Sequence, residues 1–287
     1  MHKQKLLRYL TAFILCISTL TCTFAQHSEF NWNLPFKPFR IAGNIYYVGT
    51  NDLAVYLITS PQGHILLDAG EENSPPIVKA NIDALGFKLS DIKIIITSHS
   101  HFDHVGGLAE MKAATGAKLF ASTADATVLE SGGTKAFFPI GSYKPVKVDR
   151  KLADGEAVEL GGNKMTAHVT PGHTEGNTAW TATVVEGGKK LDVVFTSSMS
   201  INPGVHMVNF KPWPEIADAY ARSFKTLRSL HCDVFLGPHA RFFDMENKVG
   251  LMKSNPQVNP FIDPSGYSRF LDNLEKAYKE QIKNEQQ

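Results

Sequence analysis

Four side chains able to ligate a metal stand within six residues of this chain, in His99-Ser-His101-Phe-Asp103-His104. They follow directly on an apolar run, residues 92–96. Two further histidines lie far downstream, each beside proline or glycine, in Pro171-Gly172-His173 and Gly237-Pro238-His239. Five imidazoles and one carboxylate suffice for two zinc ions with positions left open for water. The pattern points to a dinuclear zinc hydrolase. A chance cluster among the 11 histidines of the chain would need the spacing, the preceding strand and two distant turns all to coincide.

The local geometry supports this reading. An apolar run bounded by polar residues reads as a buried strand, ending near Thr97. His99 and His101 are two apart in extended chain, so both side chains point to the same side and suit one metal. Asp103 and His104 follow where the chain turns toward a helix, and would face a second metal. Gly106-Gly107 lets the backbone pass close by without a Cβ clash. The first zinc is therefore expected on His99, His101 and His173, the second on Asp103, His104 and His239.

Zinc on three neutral histidines lowers the pKa of its water to about 7, which supplies hydroxide at neutral pH. Two zinc ions about 3.5–4 Å apart can clamp the attacking and departing atoms of a hydrolysis. No serine or cysteine nucleophile is needed, so no acyl-enzyme is expected. Asp103 is expected to help orient the hydroxide as well as to ligate.

These residues need a large scaffold, and the chain has one to offer. The first 25 of its 287 residues read as a cleaved signal peptide: Lys3, Lys5 and Arg8, then an apolar core over residues 9–20, then Thr23-Phe24-Ala25. That core is too short for a comfortable permanent anchor. The mature chain, 26–287, is expected to be a single domain exported to a bacterial periplasm, free of the membrane after cleavage. It carries 26 basic against 28 acidic residues, a net charge of −2, because the leader holds three basic and no acidic residues. Without a basic excess, nucleic acid is an unsuitable partner. Cys232 is the single cysteine left after cleavage, so no intramolecular disulfide can form; beside an apolar run it reads as a core residue. A monomer is the default expectation.

Residues 26–40 read as an irregular arm. Apolar runs at 45–48, 53–58 and 65–67, separated by turn residues, predict an antiparallel meander. A helix is predicted after Asn73-Ser74, with Pro75-Pro76 in its first turn and an end near Gly86. Strand 92–97 and the histidine loop follow, then helices at 107–115 and 122–131 around a strand at 117–121. The second half predicts strands at 146–149, 157–160, 164–170, 177–185, 191–197 and 233–237. Helices are predicted at 214–230 and 266–283, the latter with Tyr267, Leu271, Leu274, Tyr278 and Ile282 on one stripe. Strands then helix, twice over, imply two packed sheets with helices outside and the ligands at strand ends along one edge.

His99-x-His101-x-Asp103-His104 with His173 and His239 resembles the metallo-β-lactamase superfamily, over about residues 38 to 283. The resemblance implies an α/β fold: an αββα four-layer sandwich, two mixed β-sheets with helices outside and the metal site at one edge. Many members carry a metal-bridging aspartate after the strand at 191–195. Here that stretch is Phe195-Thr-Ser-Ser198-Met-Ser200, and no carboxylate stands between Asp192 and Glu215. Zinc β-lactamases lack the bridging aspartate, and serine at this place with His104 as a ligand is the pattern of subclass B3. Stretches 38–44, 198–204 and 259–264 are similar too.

The resemblance implies a secreted zinc-dependent enzyme that opens the amide bond of β-lactam antibiotics and so confers resistance. It also implies that Ser198 and Ser200 help bind the substrate carboxylate. The Gly-rich stretch 131–141 would border the cleft, with Phe138 and Ile140 available to a substrate side chain, although Phe137-Phe138 reads equally well as an anchor to the core. Trp32 is placed at the cleft border as well. His168 reads as a structural histidine, and Asp68 as a residue that orients a ligand. The alternatives are a secreted lactonase or thioesterase on the same fold and, from another class, a zinc-binding protein without catalysis.

Overall fold

A computed structural model describes residues 31–287. The expected signal peptide, 1–25, lies outside the described residues. Residues 32–287 form one compact unit.

The first sheet has seven strands in chain order: β1 (Phe39–Ala42), β2 (Ile45–Tyr47), β3 (Tyr56–Ile58), β4 (His64–Leu67), β5 (Ile92–Ile96), β6 (Lys118–Ser122) and β7 (Arg150–Leu152). It is antiparallel from β1 to β4 and parallel from β4 to β7. The second sheet runs β12-β11-β10-β9-β8, from β8 (Ala157–Leu160), β9 (Asn163–Val169), β10 (Thr178–Glu186), β11 (Lys189–Phe195) and β12 (Val234–Leu236). Within it only β11 and β12 pair in parallel.

Alternation along the strands divides the core. Ile65, Leu67, Ile94 and Ile96 face the second sheet and pack with Ala167, Trp180, Val193 and Phe195. Leu66 and Ile95, one residue out of phase, face outward onto Val78 and Ile82 of α1 (Pro75–Ala84) and Leu108 and Met111 of the helix Leu108–Thr115. Burial on both faces explains why β4 and β5 read as unbroken apolar runs. The far layer is built by the helices Ile216–Arg228 and Pro264–Glu285. The former buries Ile216, Ala219, Tyr220, Ser223, Phe224 and Leu227, a helical stripe. The expected four-layer αββα arrangement of two mixed sheets is therefore the fold.

Three expectations need correction. The strand placed at 146–149 begins instead at Arg150, where pairing with Phe120 starts. Val146 and Val148 are buried against the outer helices, so the apolar alternation is real but has no ladder. Residues 53–55 lie before β3, and Leu53 makes an isolated bridge to His239. A helix at Met245–Ser254 was not foreseen; it buries little but Met245 and Lys248, and its pattern is weak.

Candidate metal centre

The site lies where strands of both sheets end. After β5 the chain runs through Thr97 and Ser98 into the short helix α2 (Phe102–Val105), for which His101 is the N-terminal flanking residue. Asp103 and His104 thus sit on its first turn, as expected. Gly106 and Gly107 then pass the loop after β4: a Cβ on Gly106 would stand 2.6 Å from the Glu72 nitrogen, and one on Gly107 2.5 Å from the Ala69 oxygen. His173 comes from the β9–β10 loop and His239 from the segment after β12.

All six expected ligand residues are buried and gathered here. The ligand atoms of His99, His101 and His173 lie within 4.8 Å of one another, and so do those of His99, Asp103 and His104. His101 Nδ1 is 3.0 Å from His173 Nε2. Asp103 Oδ2 is 3.2 Å from His104 Nε2 and 3.5 Å from His239 Nε2. Nitrogens held at ~2.0 Å by one tetrahedral zinc stand roughly 3.3 Å apart, so this spacing fits a metal.

The hydrogen bonds behind the ligands select their tautomers. His173 Nδ1 lies 2.7 Å from the Ser200 carbonyl, which only accepts, so the lone pair is on Nε2. His239 Nδ1 is 2.9 Å from Asp52 Oδ2, again leaving Nε2 free. Ser98 donates its hydroxyl to Asp68 Oδ2 at 2.6 Å, so it can only accept from His99 Nδ1, 3.1 Å away. Such carboxylate and carbonyl partners orient metal-binding imidazoles. Both ring nitrogens of His104 are buried with no hydrogen-bond partner among the described residues, and its 3.2 Å approach to Asp103 lacks hydrogen-bond alignment. An orphaned imidazole costs free energy unless something takes its lone pair, and a metal would.

Protonation follows the surroundings. Burial holds His99 and His101 well below the usual imidazole range and His173 down at about 4, so all three are neutral at pH 7. For His104, burial is outweighed by the Asp103 charge, and its pKa rises. Asp103 stays ionised well below the carboxylate range, because His104 and His239 outweigh burial. Burial lifts Asp68 to about 6.

The other expected residues fall as follows. Trp32 lies tilted beside His239, with ring centroids 6.2 Å apart, and 6.3 Å from Phe102. Ser198 is buried; Ser200 is half-buried, and its carbonyl accepts from His173 and, at 2.9 Å, from Tyr220. Phe138 and Ile140 are half-buried. Phe137 packs on Trp213 at 4.8 Å and Phe138 faces Phe210 at 6.4 Å, which fastens the loop to the core. His168 sits on β9 facing Thr181, 2.9 Å away. Asp192 turns to His231. Cys232 is buried and free, as expected.

Several supporting residues escaped the sequence reading. Ser197, rather than Ser198 or Ser200, approaches His99 Nδ1, at 3.2 Å, and donates to Asn177. Asp52 reads as a turn residue, yet it is buried under His239 and Arg241. Asp125 stands three residues after Ser122, the spacing of a helix cap, so the sequence reads it as a cap residue and gives no sign of its contacts with Ser100, Thr174 and Gly176.

A profile of the metallo-beta-lactamase superfamily matches residues 50–239. Among solved structures, the FEZ-1 metallo-beta-lactamase from Legionella gormanii is 43% identical with a TM-score of 0.87, over 90% of this chain and 99% of that one. BJP-1, a subclass B3 metallo-beta-lactamase of Bradyrhizobium japonicum, is 38% identical with a TM-score of 0.83, over 90% and 97%. Among curated relatives, the hydroxyacylglutathione hydrolase of Cereibacter sphaeroides is 33% identical over 105 residues, 37% of this chain. The chain spans only 33% of the length of that relative. The gathered histidine and aspartate side chains, the sandwich that positions them and these matches agree, and the chain belongs to the metallo-β-lactamase superfamily.

Proposed function

We propose that the protein is a subclass B3 zinc β-lactamase: a hydrolase with two Zn2+ per chain that opens the β-lactam amide of penicillins, cephalosporins and carbapenems. The observation that carries this reading is the near full-length likeness to metallo-beta-lactamases at 43% identity, against a partial match to thioester hydrolases. The stretch after β11 agrees with it, since it carries serines and no carboxylate between Asp192 and Glu215.

His99, His101 and His173 would hold one ion, and Asp103, His104 and His239 the other. Bound zinc supplies Lewis acidity and makes a water acidic enough to ionise near neutral pH. The chain does the rest. Asp103, kept ionised, presents Oδ2 between the His104 and His239 rings, where it accepts a hydrogen bond from the attacking water and sets its direction. Asp68 through Ser98, Asp52 and the Ser200 carbonyl keep the imidazoles facing inward. Ser200, and with it Ser198, would offer a hydroxyl to the substrate carboxylate. Trp32, Phe138 and Ile140 would border the substrate. We read the protein as a periplasmic monomer without nucleic-acid or membrane partners.

Hydrolysis of a carbapenem and a cephalosporin, with and without a chelator, tests the reading. Turnover should vanish with chelator and return with zinc. The relatives named hydroxyacylglutathione hydrolase support a second reading, a thioesterase, and a lactonase on the same fold is the remaining alternative. Faster turnover of a thioester or lactone than of any β-lactam would install it instead.

A further inference from the structure

Asp125 is fully buried, and no cation faces it among its hydrogen-bond partners. It lies in the first turn of the helix Thr123–Glu130, where Ser122 accepts from the Asp125 N–H at 3.3 Å. In a reciprocal cap the acidic side chain would return to the flanking N–H. Here both oxygens go elsewhere. Oδ1 accepts from the Ser100 hydroxyl at 2.9 Å and the Gly176 N–H at 3.1 Å; Oδ2 accepts from the Thr174 hydroxyl at 3.2 Å. Ser100 stands between His99 and His101, and Thr174 directly follows His173. One carboxylate thus touches the neighbours of all three imidazoles, on loops that leave different sheets.

The surroundings tighten the same joint. Ser122 donates its hydroxyl to the Gly176 carbonyl at 2.7 Å. A Cβ on Gly176 would collide with the Ser122 hydroxyl and the Asp125 nitrogen, so glycine is needed for this approach. Tyr143 donates to the Ser100 carbonyl at 2.8 Å, closing the other side of the loop.

We infer that Asp125 is a positioning residue that fixes the mutual placement of His99, His101 and His173 and thereby sets the affinity of that triad for its metal. The inference rests on the two-zinc reading above. The carboxylate acts by accepting hydrogen bonds from two loops at once, and its reach is confined to this triad: none of its partners adjoins Asp103, His104 or His239. Outer partners of metal ligands are worth roughly 10- to 100-fold in affinity, and a residue that serves three ligands together belongs at the upper end.

The test is a Co2+ titration of the metal-free, full-length protein, read by visible absorption and by competition with a chelator. The triad's binding step is identified by its loss in His173→Ala. Asp125→Ala should weaken that step by about 10- to 100-fold and leave the other step unchanged. Asp125→Asn should restore most of the affinity, because its amide oxygen still accepts from Ser100 and Gly176 while the Thr174 hydroxyl can turn to accept. Ser100→Ala and Thr174→Val should each show a smaller loss confined to the same step. A wild-type triad affinity in Asp125→Ala, with only a lowered melting temperature of the metal-free protein, would make Asp125 a packing residue and overturn the assignment. Should Asp125→Ala not fold, wild-type affinity in both hydroxyl variants overturns it equally. A wild type that takes up no metal sinks the two-zinc reading and this inference together; a wild type that loads two ions beside an equally competent Asp125→Ala sinks the inference alone.

Discussion

The two halves of the centre are supported by different means. The triad His99, His101 and His173 is surrounded by hydroxyls and a carbonyl: Ser98, Ser197 and the Ser200 backbone touch its rings, and Asp125 ties its loops from behind. The group Asp103, His104 and His239 is surrounded by charge. It contains the ionised Asp103, and His239 leans on Asp52, which is itself paired with Arg241. The first arrangement is neutral and fixed by geometry; the second depends on charge balance. In buried surroundings charge is expensive unless it is compensated, so the second half, with its orphaned His104, has more to gain from a cation.

The largest effect should follow from breaking the second half at its own ligand. Asp103→Ala should lower turnover by more than the ~100-fold typical of losing a residue behind a ligand, and should empty the second site by metal analysis while the first stays filled. Full turnover with two zinc ions bound would show that the assignment of Asp103 is wrong. Next comes Asp52→Ala. It removes the acceptor of His239 Nδ1 and leaves Arg241 unpaired, so the second metal step should weaken by about 10- to 100-fold with the triad step unchanged. An equal loss at both steps would erase the contrast between the halves.

Acid stability should separate His104 from the triad by sign, while His239, which burial also holds below the usual imidazole range, sides with the triad. His99, His101 and His173 have pKa values below the usual 6.5 when folded, His173 at about 4. The unfolded chain therefore binds more protons between about pH 4 and 6.5, and the metal-free protein should lose stability as pH falls through that window. His104 has the opposite sign: its folded pKa is raised, so its contribution is full below 6.5 and is lost as pH rises through the folded value. Urea unfolding of chelator-stripped protein should show the acid slope reduced in His173→Gln, by at most one proton, or ~1.4 kcal/mol per pH unit. In His104→Gln the acid slope should stay, while the loss of stability above pH 6.5 that His104 contributes should disappear. The same change in both variants would mean that charge does not distinguish His104 from the triad.

The sequence made the gathered histidine and aspartate cluster legible because ligation needs particular side chains in particular chain geometries. A strand end spaces His99 and His101, and the first turn of a helix presents Asp103 and His104. The sandwich was legible for a similar reason, since apolar runs buried on both faces leave few other folds. The supporting residues were hidden because their function depends on partners remote in sequence. Asp125 meets Gly176, 51 residues away, and Asp52 meets His239, 187 residues away. Nothing local separates such an aspartate from a turn or cap residue. The displaced β7 makes the same point for the fold: Val146 and Val148 alternate as a strand would, but a strand also needs a neighbour to pair with.

Ser200 offers the finest test of the contrast. Its carbonyl holds His173, while its hydroxyl is the group proposed to meet the substrate carboxylate. Replacing the side chain leaves the carbonyl in place. Ser200→Ala should therefore raise KM by a few-fold, roughly the value of one hydrogen bond near 1 kcal/mol, with kcat and both metal affinities unchanged. That split is the mark of lost ground-state binding. A fall in triad affinity would instead show that the serine side chain shapes the backbone behind His173. The neutral half would then depend on a surface hydroxyl as directly as the charged half depends on Asp52.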